Sequence, residues 1–238
     1  MTLSTIGYAF FGGLLPSLVW LYFLLKEDSR CPEPRALVGL AFIAGMAAVP
    51  LALPLEQYAQ ANLGGTLHVL TAWATIEETL KYAMAALFIL WRPNVGDGPD
   101  YVIYLLTVAL GFAAAENMLF LLAPLSAGHL LTGVYTDGLR FLGSTLLHAI
   151  ASAAVGFALA FSAGDPPAVR TFAAAFGLIL AIALHTAFNA LIMNQGGSLA
   201  LTAFLLVWSA AVVFFAAFEV LKYFRYRNAP KNICSPLP

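Results

Sequence analysis

The sequence predicts an all-α protein, a polytopic transmembrane helical bundle with about seven spans. Two observations indicate this fold class. Of the 238 residues, 61% are hydrophobic and only 10% are charged, with a mean hydropathy of +0.87, whereas a soluble domain carries about 25% charged residues. The apolar residues also fall into long runs, each close to the roughly 20 residues that a helix needs to cross about 30 Å of hydrocarbon. A lipid bilayer is therefore the expected surroundings of most of the chain.

The predicted spans form a single transmembrane domain over residues 1–238, because connections with Pro and Gly separate them and no soluble segment or internal repeat intervenes. The first run has no basic segment before it and no small-residue cleavage site after it, so we predict a retained span and not a signal peptide. The spans are predicted near residues 3–25, 36–53, 66–91, 101–122, 138–163, 169–193 and 198–224.

The Lys and Arg residues predict the orientation of the bundle. Most of them fall in alternate connections, the pattern of cytoplasmic loops, which gives an N-terminus outside and a C-terminus inside (N-out/C-in). The exceptions are Lys81, in the middle of a span, and Arg140, at the outer end of one. The net charge of -1 leaves no basic surface for nucleic acid, which is excluded as a partner. The residues in the inside connections are Lys26, Arg30, Arg35, Arg92, Arg170, Lys222, Arg225, Arg227 and Lys231.

Glutamate and histidine residues occur inside four of the predicted spans, at matching depths. At about 1.5 Å per residue, Glu77 and Glu78 lie roughly 15–20 Å below the outer end of the third span, and Glu116 lies about 10 Å from the outer end of the fourth. His148 and His185 lie roughly 15 Å and 12 Å from the outer ends of the fifth and sixth spans. Each such residue is costly in lipid, so their convergence in the outer half of the bilayer predicts a functional site.

The spacing on the third span predicts how its charges are used. Lys81 follows Glu77 by four residues and Glu78 by three, so all three share one side of the helix and the ammonium can pair with either carboxylate. Adjacent side chains point about 100° apart on a helix. We therefore expect one glutamate to face the chemistry and the other to anchor Lys81 or Arg140.

The histidine-bearing spans each offer a second hydrogen-bonding group one turn later. Ser152 follows His148 by four residues, and Asn189 follows His185 by four, so each pair lies on one helix face. Arg140, near the outer end of its span, is expected to extend to the interface or to cap a carboxylate.

Five segments, in order along the chain, resemble those of the PrsW-type intramembrane proteases, bacterial membrane enzymes related to the CAAX-protease and abortive-infection superfamily. EETLK resembles their EExxK motif, and GFAAAEN resembles their FxxxE segment, here Phe112 and Glu116. RFLGSTLLHAIAS and HTAFN are similar to their two histidine segments, and PSLVWLYFLLKEDSRCPEP to their first helix and the connection after it. One departure is Ser152, which stands where an acid can occur in the family.

The resemblance implies an enzyme, an intramembrane endopeptidase of the bacterial cytoplasmic membrane. Its substrate would be a transmembrane protein, cut near the extracytoplasmic side. In the best-known members the family's role is a first cut in an anti-sigma factor, so an anti-sigma factor is the implied partner.

The resemblance also implies roles for the residues. Glu77 would activate water, since a carboxylate withdrawn from solvent can take a proton from it, and Glu78 would be its structural partner. The two histidines, with Asn189, would hydrogen-bond the oxyanion and protonate the leaving amine. Glu116 would orient one of these histidines or share a proton with the other acids.

A metal ion is the main alternative within this chemistry. Glu78, Glu116, His148 and His185 carry the N and O atoms that zinc accepts, and a His2Glu set with one open position is a known catalytic arrangement. The chain has no HExxH segment, however, and Lys81 beside the acids would repel a cation. The sequence therefore favours a site without a cofactor, with a zinc-dependent variant of the same protease as the alternative.

Two functions of other classes also fit buried acids. A proton-coupled carrier uses chains of Glu and His inside a bundle, but the sequence shows no inverted repeat and no paired broken helices. A non-catalytic member that scaffolds membrane segments would not need the intact set of Glu, Lys and His residues.

Overall fold

The computed structural model describes residues 2–27, 32–92, 95, 98–129, 138–193 and 199–227. This part of the chain is helical, without strands, which confirms the predicted fold class. The helices are α1 (Leu3–Glu27), α2 (Arg35–Asn62), α3 (Thr66–Ala85), α4 (Gly98–Ser126), α5 (Thr145–Phe161), α6 (Pro167–Ile192) and α7 (Ala200–Tyr226).

Two short π-helical segments extend this set, Ala86–Leu90 after α3 and Arg140–Ser144 before α5. Among the described residues, six helices are long and apolar enough to cross a membrane; α3 differs because it carries charged residues in its middle. The outward faces carry large apolar side chains such as Phe172, 79% exposed, and Val212, 68% exposed. Lipid, and not water, is the medium that such faces suit.

The second predicted span is shorter than the helix observed. The prediction ended near residue 53, whereas α2 continues to Asn62 with Pro50 and Pro54 inside it. The segment after Pro54 reads LEQYAQAN, and Leu, Glu, Gln and Ala are strong helix formers, so the helix resumes after the proline. This extension places Glu56 in a helix instead of a surface connection.

Helix α4 lies at the centre of the bundle, with nearly all of its first 18 residues buried between α1, α2 and α5. Glycines permit this close packing. A Cβ atom at Gly45 would lie 1.9 Å from the Val108 carbonyl oxygen, and one at Gly111 would lie 1.9 Å from the Phe42 carbonyl oxygen. The backbones of α2 and α4 therefore approach too closely for any side chain at these two positions.

Two basic residues of the predicted inside connections make contacts at one end of the bundle, whereas Arg30 and Lys231 of the same set lie outside the described residues. Lys222, near the end of α7, contacts Glu27 at the end of α1, with 3.4 Å between Nζ and Oε2. At the start of α6, Arg170 Nη2 donates a hydrogen bond of 2.8 Å to the Tyr101 hydroxyl of α4. These contacts agree with the alternating helix directions that the prediction needs, and the N-out/C-in orientation itself stays a prediction.

The π-helical segment Arg140–Ser144 is held by two tryptophans from opposite ends of the chain. Trp20 of α1 donates its indole N–H to the Phe141 carbonyl at 3.4 Å, and Trp208 of α7 donates to the Leu142 carbonyl at 3.1 Å. A π-helical turn is rare and often occurs at a functional site. Here the π-helical segment fixes the start of α5, and Arg140 extends from this segment towards α4.

Candidate active site

The structure brings the predicted ionisable residues together from four helices. Their side chains are almost wholly buried: Glu77 is 5% exposed, Glu78 1%, Lys81 0%, His148 1% and His185 2%. The histidine rings lie edge to face, with 5.1 Å between centroids. Burial of so many charged and polar groups is tolerable because most of them pair with one another, and the cluster is therefore a mutually dependent unit.

Glu78 lies at the centre of the hydrogen bonds. Its Oε1 is 2.7 Å from Lys81 Nζ and 2.8 Å from His185 Nδ1, and its Oε2 accepts a hydrogen bond of 3.3 Å from Ser152. Three helices meet at this carboxylate, which matches the anchoring role expected for one of the two glutamates. Ser152, whose predicted role was supporting, binds Glu78.

Glu77 differs from its neighbour, because its Oε2 is buried without a hydrogen-bond partner among the described residues. Three nitrogen atoms surround it just beyond hydrogen-bond distance. Lys81 Nζ lies 3.7 Å away, His148 Nδ1 3.8 Å and His185 Nε2 3.9 Å. An unpartnered buried carboxylate oxygen is energetically costly, and such an oxygen at a cluster of this kind is typical of a functional group.

The hydrogen-bond partners determine which ring nitrogen of each histidine carries the proton. An ammonium group can only donate, so His148 Nδ1, 2.7 Å from Lys81 Nζ, accepts. His148 Nε2 then carries the proton and donates to Glu116 Oε2 at 2.9 Å. His185 Nδ1 donates to Glu78, which leaves His185 Nε2 facing Glu77.

A second layer of contacts holds Glu116. Arg140 Nη2 donates to Glu116 Oε2, and Arg140 Nε donates to the Asn117 side-chain oxygen. Asn117, fully buried, donates in turn to the Thr145 hydroxyl at 2.9 Å. Arg140 therefore caps a carboxylate, as one of its two expected roles required. The His148 ring is held from both sides, by Lys81 and by Glu116.

Two residues of the cluster have contacts that the sequence did not predict. The Phe112 ring, known before only as the first residue of an FxxxE segment, lies 4.4 Å from Lys81 Nζ, measured to the ring centroid. A cation over an aromatic face is stabilised by the ring quadrupole. Glu56 of α2 interacts electrostatically with Glu116, His185 and Lys81. Glu56 follows Pro54 and lies beyond the predicted end of the second span, so it was not predicted to lie near the cluster.

Asn189 stands apart from the cluster. It is half-buried on α6, one turn after His185, and no hydrogen bond joins its side chain to the cluster among the described residues. Asn189 is therefore near the cluster only because it lies one helical turn after His185. His68 and His129 are exposed near helix ends, away from the buried polar contacts.

A metal ion has a candidate site here, although not the one that the donor types suggested. Glu77, His148 and His185 each offer one ligand atom, all within 4.8 Å of one another, so they could hold a metal ion. Glu78 and Glu116, expected among the ligands, are instead engaged by Lys81, His185 and Arg140. Ligands bound tetrahedrally to zinc at about 2.0–2.1 Å lie about 3.4 Å apart, close to the 3.8 Å and 3.9 Å observed from Glu77 Oε2. The fit fails at His148, whose Nδ1 is already bound to the Lys81 ammonium.

Comparisons with known proteins identify relatives of this chain. The sequence model of the family described as "PrsW family intramembrane metalloprotease" matches residues 33–218. The chain belongs to the PrsW family. Protease PrsW of Geobacillus kaustophilus is 31% identical over 152 residues, which are 61% of this chain and 62% of that protein. Protease PrsW of Bacillus subtilis is 24% identical over 180 residues, 74% of this chain and 79% of that protein. No solved structure matches significantly.

The PrsW match spans the whole cluster, from α2 to α7. The aligned part of this chain covers less than two thirds of the length of the Geobacillus relative. The family assignment confirms the resemblance found in the sequence, and it covers every residue that the cluster contains.

Proposed function

We propose that this protein is an intramembrane endopeptidase of glutamic type, which cuts peptide bonds of transmembrane proteins in the bacterial cytoplasmic membrane. Its membership of the PrsW family supports a protease. The observation that carries the mechanism is the buried Glu77 Oε2, free of hydrogen-bond partners among the described residues and surrounded by three nitrogen atoms. Glu77 is thus the group available for chemistry, and Glu78 is the group used for structure.

In this proposal Glu77 acts as the general base. It takes a proton from a water molecule while the water oxygen bonds to the carbonyl carbon of the substrate. When the C–N bond breaks, the same proton is passed to the leaving amine, so the products are a carboxylic acid and an amine. A positioned general base contributes about 10²–10⁴-fold to such a reaction.

His185 is the proposed carrier of that proton. Its Nδ1–H is committed to Glu78, and its Nε2 faces Glu77 Oε2 at 3.9 Å. Nε2 can therefore receive the proton from Glu77 and release it to the amine. Asn189, one turn further along α6, is proposed to donate to the developing oxyanion.

The remaining residues hold these groups in place. Lys81 balances the negative charge of the glutamates, and His148, bound between Lys81 and Glu116, keeps the ammonium in position. Arg140, in turn, holds Glu116 in position. The cluster therefore needs His148 mainly as a positioning residue, since both of its ring nitrogens are engaged.

The place of the cut follows from the proposed orientation. With the basic helix ends on the cytoplasmic side, Glu116, His148 and His185 lie in the halves of α4, α5 and α6 nearer the opposite end of the bundle, and Glu77 lies near the middle of α3 and its π-helical extension. Water and a peptide bond would then meet near the extracytoplasmic side. An anti-sigma factor is the proposed class of substrate, as in the best-known members of the family.

The proton-coupled carrier is the rival function of another class. It accounts for buried acids and histidines, but it does not account for one carboxylate that is fully engaged beside another that is not. A zinc-dependent protease is the rival within the family, and it requires Lys81 to leave His148.

The experiment compares membrane-protein fragments in cells that carry the wild type, Glu77→Gln or Glu219→Gln. Glu219 is a matched control because it is also a glutamate three residues before a lysine, but it is 64% exposed. New N-termini are mapped by mass spectrometry at equal expression. We expect termini near the outer ends of transmembrane segments in the wild type and in Glu219→Gln, and their loss in Glu77→Gln.

An unchanged set of fragments in folded Glu77→Gln would contradict the proposal. Proton flux through liposomes that contain the purified protein would then test the carrier. Flux that Glu77→Gln abolishes would assign the buried acids to transport.

A further inference from the structure

The family that this chain belongs to is described as a metalloprotease family. Three side chains of this chain also have the separation that a zinc ion needs. The same place is contacted by a fixed cation. Lys81 Nζ lies 2.7 Å from His148 Nδ1 and 3.7 Å from Glu77 Oε2, which are two of the three candidate ligand atoms. The ammonium therefore engages a ligand atom, His148 Nδ1, that a metal ion would have to bind.

The nitrogen lone pair of His148 can serve only one of these cations. An imidazole nitrogen has a single lone pair in the ring plane, which either accepts a hydrogen bond or binds a metal. His148 Nε2 offers no substitute, because its proton is donated to Glu116. Binding of zinc to this set thus requires the Lys81 ammonium to leave.

Lys81 has little freedom to leave. Its side chain is 0% exposed, it is bound to Glu78 at 2.7 Å, and the Phe112 ring covers it. Withdrawal would leave an ammonium without its partners in a dry interior, and breaking a buried ion pair by removing one partner is strongly destabilising. The lysine is therefore fixed by the same contacts that form the site.

The charges in direct contact agree with a lysine in this place. Three carboxylates, Glu77, Glu78 and Glu116, face two cations, Lys81 and Arg140. The balance is one formal negative charge, which is what a single general base requires.

We infer that Lys81 is a built-in cation that excludes divalent metal ions from the Glu77, His148 and His185 site. The lysine supplies, as part of the chain, the positive charge that a bound metal would otherwise bring to the carboxylate. The inference concerns the site of the proposed function and rests on its geometry. Metal binding can be measured without a substrate, so the inference and the proposed function can fail separately.

The test measures zinc binding by purified protein in detergent, without any activity assay. The wild type is compared with the double variant Glu78→Gln/Lys81→Met, which removes both partners of the ion pair and keeps an acceptor for His185. Lys222→Met is the control for loss of a lysine elsewhere. Zinc content after dialysis is measured by mass spectrometry, and cobalt(II) is added as a spectroscopic probe of tetrahedral coordination.

We expect the wild type and Lys222→Met to retain no zinc, and the double variant to bind about one zinc per chain. The affinity of the double variant should exceed that of the wild type by about 100-fold or more, because its His148 lone pair is available. Adding His185→Ala to the double variant should abolish the binding. This result would also assign the ligand set.

Two results would overturn the inference. One is a wild type that is purified with one zinc per chain and loses it in His185→Ala. The other is a folded double variant that binds zinc no better than the wild type. If the double variant does not fold, a wild type that binds one zinc per chain would still overturn the inference.

Discussion

Two Glu–Lys pairs with the same three-residue spacing lie in opposite environments. Glu78 and Lys81 are each 1% exposed in the middle of the bundle, whereas Glu219 is 64% exposed and Lys222 13% exposed near the end of α7. Both lysines contact a second glutamate, Glu77 in the interior and Glu27 at the bundle end. Local spacing is therefore the same, and the surroundings determine the difference in function.

The interior pair needs partners that the terminal pair does not. Glu27 and Glu219 are exposed, so solvent screens their pairing with Lys222, whose ammonium otherwise contacts only the Glu27 carbonyl and the Phe218 ring among the described residues. At Lys81, in contrast, His148 and Phe112 come from two other helices, and His185 from a third binds Glu78. The interior lysine thus couples four helices, and the terminal lysine only joins the ends of two.

Replacement of Lys81 by methionine should have the largest effect on stability. Lys81→Met leaves Glu78 buried without its cation, so the free energy of unfolding should fall by about 3–5 kcal/mol. Titration with SDS in mixed micelles measures it. Glu78→Gln/Lys81→Met removes both charges and should recover part of the loss; a double variant less stable than Lys81→Met would contradict the pairing.

Replacement of Arg140 should have an intermediate effect. Its side chain is 14% exposed and that of Glu116 is 20% exposed, so part of the lost interaction is replaced by water. We expect Arg140→Met to lower the free energy of unfolding by about 1.5–3 kcal/mol, the value of a hydrogen bond to a charged group. Arg140→Lys should retain part of this stability, and a full loss in Arg140→Lys would show that the two-pronged contact to Glu116 and Asn117 is essential.

Replacement of Lys222 should have the smallest effect. The glutamates around it are 48% and 64% exposed, and surface ion pairs contribute about 0–1 kcal/mol. Lys222→Met should therefore lower the free energy of unfolding by no more than that amount, measured by SDS titration, and should leave the fragment pattern in cells unchanged. A loss as large as that of Lys81→Met would mean that burial does not distinguish the two pairs.

The sequence predicted the helices and the convergence of the cluster, because apolar length and the cost of buried charge are local properties. It could not predict which glutamate Lys81 would bind closely. That choice depends on His185 and Ser152, which contribute from other helices. For the same reason, the sequence could not predict that Glu77, and not Glu78 or Glu116, lies with His148 and His185 in an arrangement that could hold a metal ion.

Other features depend on contacts between distant segments. The π-helical start of α5 is held by Trp20 and Trp208, which no local pattern connects to it. Glu56 lies beyond the predicted end of the second span near residue 53, whereas the helix formers after Pro54 continue α2 to Asn62.

The most direct test compares Glu77→Gln with Glu78→Gln in two measurements, cleavage in cells and stability in mixed micelles. We expect Glu77→Gln to lose cleavage but to remain as stable as the wild type, because Glu77 Oε2 has no hydrogen bond to lose. Glu78→Gln should lose stability, because Lys81 loses its closest charged partner. Normal cleavage by Glu77→Gln, or an equal loss of stability in both variants, would contradict the division of roles between the two glutamates.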